Sequence, residues 1–76
     1  MIELNPIFEK EVGNKIRSFR EKRKITQELL STKLQLEGCD ITRSALAKIE
    51  VGQRHIYIDE LKALVKILNI RYEDLL

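Results

Sequence analysis

The apolar residues of this chain recur at helical intervals, and the residues between the runs read as starts and stops. In the first run Phe8, Val12, Ile16 and Phe19 share one side of a helix. Asn5 and Pro6 announce it, as N-cap and first helical residue. Gly13 interrupts it, and the basic stretch REKRK closes it, which suits the negative end of the helix dipole. A second helix opens at Thr26, with Leu29, Leu30 and Leu34 inward and Ser31 as a small residue on the same side. A third begins at its cap Thr42 and stops at Gly52. A fourth runs from about Ile58 to Leu68, with Asp59 and Glu60 in its first turn, and Leu61, Leu64, Val65 and Leu68 facing inward. Asn69 is its expected left-handed stop, and RYEDLL supplies a last turn or two. With no Asn-Gly or Asp-Gly hairpin signal, the expectation is an all-α bundle of five short helices.

The third helix, in DITRSALAKIEVGQRH, has an unusual outer face. Ala45, Leu46 and Ile49 fall on one side, while Arg43, Ser44, Ala47 and Lys48 fall opposite. A solvated face would more often pair Glu with Lys at i, i+4. This one joins long basic donors to small residues and carries no acid.

Composition narrows the possibilities. Seventy-six residues are expected to form a single domain over 1–76, with a modest core to which every helix must contribute. The formal net charge of +2 does not by itself imply a polyanionic partner, so the distribution of charge matters more than its sum. No apolar run approaches the roughly 20 residues that cross a bilayer, so no membrane association is expected. The first residues are acidic and lack the apolar centre of a signal peptide. The single cysteine, Cys39, has no internal disulfide partner, which fits a reducing cytoplasm. His55 has no second ligand at metal spacing and reads as a surface residue. Nothing orients Cys39 and His55 as nucleophile and base. The sequence thus predicts no catalytic residues, no cofactor and no enzyme.

Two short helices, each opened by a threonine and separated by a turn, suggest a helix-turn-helix. In such a unit the first helix braces the second across the DNA backbone, and the second lies in the major groove with its N-terminal residues on base edges. Arg43 can bond guanine bidentately, Ser44 can meet several base edges, and Lys48 can reach guanine or phosphate. Ala47 permits a close approach, and an acid there would repel phosphate.

The segments ITQELLSTKL, ITRSALAKIEVGQR and DELKALVKILNIRYEDLL resemble the phage-repressor and Cro-like, or XRE, helix-turn-helix family over nearly the whole chain after the first ten residues. The resemblance implies a lambda-repressor-like bundle. It implies a transcriptional regulator, in the first instance a repressor, that binds a double-stranded operator as a homodimer, with the recognition helix at about 42–51. It also implies individual roles. Gln27, Thr42, Gln53 and Arg54 match positions on or near phosphates, Arg43, Ser44 and Lys48 match base-reading positions, and Arg20 and Glu50 match a structural ion pair. Glu50 flanks the inner face of the third helix, where an isolated acid would sit poorly beside DNA, so the residues support that pair independently. A different class of function uses the same fold as a protein-interaction module, such as an antitoxin or anti-repressor with a regulatory protein partner.

Two features depart from the family pattern. Arg71 stands where a Ser or Thr cap is usual. Between the second and third helices the family has a tight turn around one glycine, whereas here QLEGCD intervenes before Ile41. The second helix is expected to run on by up to a turn, with a short loop at Gly38 to Asp40. Leu36 or Cys39 would cover the seam between the helices. Ile41 would enter the core in the manner of a hydrophobic staple with Ala45 or Leu46. Asp40 should then point away from phosphate.

Overall fold

A computed structural model describes residues 6–76, and the expected cap at Asn5 lies outside them. Among the described residues there are five helices and no strands: α1 (Pro6–Lys22), α2 (Gln27–Leu36), α3 (Arg43–Glu50), α4 (Ile58–Leu68) and α5 (Tyr72–Leu75). The α1 helix packs against α3, α4 and α5, while α2 packs against α3 and α4. The core between them gathers Val12, Ile16, Leu30, Leu34, Ile41, Leu46, Ile49, Ile56, Leu61, Leu64, Leu68 and Leu75. None of the helices is long and apolar enough to cross a membrane.

The helix ends follow local chemistry. The Thr26 and Thr42 hydroxyls accept from the N–H groups of Leu29 and Ala45, both at 3.1 Å, and so satisfy orphan donors of α2 and α3. Each of α1 to α4 is closed by a left-handed residue, respectively Lys24, Gly38, Gly52 and Asn69. In each case a pair of backbone bonds returns to the last turn, for example Gln53 N–H to the Lys48 carbonyl and Gly52 N–H to that of Ile49. Arg71 has no acceptor with which to cap α5. The Asp74 carboxylate instead reaches back to the Arg71 N–H at 2.9 Å.

The inner face of α1 differs from the expected one. Phe8 is 49% exposed, and the buried line is Glu9, Val12, Gly13, Ile16 and Arg20. Three of these five are not apolar, so a search for hydrophobic residues shifts the stripe by one position. Phe19 lies partly buried at the core edge under the basic run, with the Lys22 ammonium 5.3 Å and the Arg23 guanidinium 5.6 Å from its ring centre. In α2, Leu29 is 46% exposed instead of inward, because the buried stripe is centred on Leu30, Ser31 and Leu34, about 100° further round.

The lengthened connection extends α2 to Leu36, after which Gly38 (φ +88°) reverses the chain. Leu36 does not cover the seam. It is 82% exposed, since two residues beyond Leu34 a side chain points to the opposite side of the helix. Cys39 packs against the core instead, and Ile41 is fully buried beside Leu46 and the half-buried Ala45 in one cluster. Ser31 Oγ donates to the Ile41 carbonyl at 2.6 Å, tying the end of this connection to α2. Ile41→Ala should therefore lower stability by about 3 kcal/mol. A shift in the urea midpoint at unchanged slope measures it, and no loss would mean that Ile41 anchors nothing.

Candidate nucleic-acid interface

The outer face of α3 presents Arg43, Ser44 and Lys48 to solvent, with Thr42 exposed at the cap and Ala47 half-buried. Leu46, Ile49 and Glu50 lie on the buried side. At the N-terminus of α2, an open groove of about 580 Å³ is lined by Arg17, Arg20, Thr26, Gln27, Glu28 and Arg43. Arg17 and Arg43, both exposed, line this recess at the positive end of the α2 dipole, with Glu28 the one acid in its lining. The groove joins the start of α2 to the start of α3, the two places at which a helix-turn-helix meets its ligand.

A buried polar network fixes that junction. Arg20 Nε donates to Glu50 Oε2 at 2.7 Å, and a second guanidinium nitrogen donates to Glu50 Oε1 at 3.1 Å. The third, Nη1, donates to the Ile25 carbonyl at 2.8 Å, at the entry to α2. Gln27 Nε2 adds a bond to Glu50 Oε1 at 3.0 Å. The Glu50 side chain is 1% exposed and that of Arg20 10%. The hydrogen-bonded Glu50 carboxylate raises the Arg20 pKa above the ordinary arginine value, against the opposing effect of burial. One arginine thus holds α1, the turn before α2 and the end of α3 in fixed relation. Gln27, expected on phosphate, gives one N–H of its amide to this network and keeps a second donor, while the backbone beside it opens α2.

The approach of α1 to α3 is equally tight. A Cβ added at Gly13 would lie 2.1 Å from the Ile49 carbonyl oxygen and 3.0 Å from that of Glu50. Only a residue without a side chain lets the two backbones come so close. The sequence showed Gly13 as an interruption and gave no sign of what it approached.

The segment after α3 is held from two sides. Gly52, at φ +78°, lies against α1: a Cβ there would come within 2.9 Å of Lys10 Cα. The Glu9 side chain, 3% exposed, accepts from Ile56 N–H at 2.9 Å and from His55 Nδ1 at 2.9 and 3.1 Å. A carboxylate can only accept, so this ring nitrogen carries the proton. On the other side Arg54 meets Glu60 in a bidentate pair at 2.8 and 3.0 Å and also donates to the His55 carbonyl. The bonded Glu60 carboxylate raises the Arg54 pKa, again against burial. Glu60 accepts a further bond from Tyr57 N–H at 3.1 Å, at the start of α4. Gln53 is exposed, whereas Arg54 is committed to Glu60. Sequence reading missed Glu9, and placed Glu60 in the first turn of its helix without its partners. Glu60 could have been found as a capping residue three positions after the helix start, but Glu9 left no signal, since its partners lie 46 and 47 residues away.

Burial first, and then the nearby carboxylates of Asp59, Glu60 and Glu37, push the Cys39 thiol pKa up, which disfavours the thiolate. The described residues contain no cluster of His, Cys, Asp and Glu that could hold a metal ion.

A family model described as helix-turn-helix matches residues 16–75, which takes in the whole of α2 to α5 and the C-terminal part of α1. No curated protein matches the chain. Several solved structures share its fold. The restriction-modification controller protein C.AhdI from Aeromonas hydrophila superposes with a TM-score of 0.79 at 24% identity, over 93% of this chain and 96% of its own. The clp gene regulator ClgR from C. glutamicum gives a TM-score of 0.80 at 20% identity, over 93% and 86%. The DNA-binding domain of BldD gives 0.78 at 19% identity, over 96% and 99%.

Proposed function

Because the chain belongs to the XRE-type helix-turn-helix family, we propose that it is a transcriptional regulator that binds double-stranded DNA sequence-specifically, with α3 in the major groove. The observation that carries this is the outer face of α3. Arg43, Ser44 and Lys48 stand exposed, on a helix face that carries no acid of its own and whose opposite side is locked by a buried ion pair. A rigid helix offering exposed donors is what base reading needs. Repression is the expected mode, since occupying the groove excludes other proteins. A two-fold site bound by a homodimer is the expected geometry. The names of the structural neighbours speak of a controller protein, a gene regulator and a DNA-binding domain, in keeping with a regulatory role.

The roles divide by position. Arg43, Ser44 and Lys48 read bases. Thr42, Gln27 and Gln53 meet the backbone, Gln27 through the groove at the start of α2. Phosphate contacts fix register, and base contacts confer specificity.

Arg43→Ala should weaken binding to a selected site by roughly 1–3 kcal/mol and relax preference at one position per half-site. Gln27→Ala should weaken binding about equally on all duplexes. Fluorescence anisotropy on a selected and a scrambled duplex, at matched salt, separates the two. If Arg43→Ala weakened both duplexes equally, Arg43 would contact the backbone and read no base.

A further inference from the structure

We propose that Arg54 is a positioning residue: pinned by Glu60, it fixes residues 52–57 against α4 so that Gln53 meets the DNA backbone, and it makes no phosphate contact itself. This rests on the DNA-binding reading above and reassigns a residue that the family resemblance places on phosphate.

The geometry points this way from both partners. Arg54 gives two nitrogens to Glu60, at 2.8 and 3.0 Å, in the fork arrangement that suits a guanidinium and a carboxylate. Its Nη1 also donates to the carbonyl of the next residue, His55, so the side chain folds back over its own loop. Its side chain is only 27% exposed, and that of Glu60 only 10%. For Arg54 to swing toward a phosphate, Glu60 would be left nearly buried beside the backbone N–H of Tyr57 with its cationic partner gone. The pair is also locally neutral, so it adds little attraction for a polyanion.

The segment needs such support. It is a short connection between α3 and α4, and its own regular hydrogen bonding ends with the turn at Gly52 and Gln53. Beyond that turn two carboxylates from different helices hold it. Glu9 of α1 takes Ile56 N–H and the His55 ring, while Glu60 of α4 takes Tyr57 N–H and Arg54. Gly52 sits tight against Lys10 at the start of the same segment. The clamp therefore determines where Gln53 lies relative to α3, and the positioning of a contact residue depends on such supporting groups.

Charge and position can be separated experimentally. The affinities of wild type, Arg54→Ala, Arg54→Lys and Glu60→Gln for a selected duplex are measured from 50 to 200 mM salt, at a temperature where urea titration shows each variant folded. A residue that neutralises one phosphate contributes about 0.9 to the slope of log affinity against log salt. With Arg54 as a positioning residue, Arg54→Ala weakens binding several-fold with the slope unchanged. Arg54→Lys keeps the charge but loses the fork, so it weakens binding as well. Glu60→Gln weakens binding too, although it removes a negative charge from the DNA side of the molecule. A merely stabilising residue would leave the affinity of the folded protein unmoved, and that result would overturn the proposal. So would a slope reduced by about one unit in Arg54→Ala, or tighter binding by Glu60→Gln through release of Arg54 to phosphate. If wild type itself bound no duplex, the DNA-binding reading would fail and take this assignment with it; binding by wild type with either adverse result in the variants removes this assignment alone.

Discussion

Replacing Arg20 with alanine should cost about 3–5 kcal/mol of folding stability, because it leaves Glu50 charged, 1% exposed and without its cation. A domain of this size has roughly 5–15 kcal/mol in total, so much of its margin would go. Glu50→Ala should cost a similar amount, since Arg20 would lose two of its three bonds and Gln27 one. A surface pair such as Arg17–Glu21, exposed on both sides, would contribute far less. The double variant should be no less stable than either single one, because removing both charges strands neither. Urea unfolding of the four proteins supplies the cycle. Additive losses would mean that the two residues act independently, whatever their separation.

Gly13→Ala is the second large effect. Alanine in an exposed helix interior would gain up to about 1 kcal/mol over glycine. Here its Cβ would overlap the Ile49 carbonyl oxygen, a backbone atom that cannot rotate away. To accommodate it, α1 and α3 must move apart and loosen the core between Val12, Ile16 and Ile49. The net result should be a loss of about 3 kcal/mol or more. DNA affinity should fall as well in the fraction that folds, since α1 carries Arg20 to the end of α3. Thermal unfolding measures the first effect, and an unchanged or raised midpoint would show that the helices do not pack as described.

Most of the fold was legible because its local signals are strong. Thr26 and Thr42 cap where the sequence predicts, Gly52 and Asn69 stop their helices, and α4 buries Leu61, Leu64, Val65 and Leu68. These features depend on residues close in sequence, so a single chain reveals them. The errors fall where a local rule meets a tertiary requirement. The stripe on α1 was displaced because Glu9, Gly13 and Arg20 occupy its inner face, and none of them looks like a core residue. Of the two residues expected to cover the seam, Leu36 or Cys39, the phase of α2 turns Leu36 to solvent, and Cys39 packs against the core. Lys24 takes a left-handed conformation that the sequence reserves for glycine or asparagine.

The interface was legible in part. The basic, acid-free face of α3 follows from periodicity, and that face is exposed. What holds it was less visible. The resemblance implied Arg20 with Glu50, but not that Gln27 joins them. Arg54 reads as one more cation beside a nucleic acid until Glu60, six residues on, is found within bonding distance of it. The Glu9 clamp joins residues 47 positions apart, and only the folded arrangement brings its parts together.

The most direct test of DNA recognition by the α3 face is selection of bound sequences from random duplex DNA with the intact chain, carried out in parallel with Arg43→Ala. A two-fold motif should be enriched, its half-sites about one helical turn apart, and one base pair in each half-site should lose its preference in the variant. Folded wild-type protein that enriches no motif, or a motif unaltered by loss of Arg43, would contradict sequence-specific binding through α3.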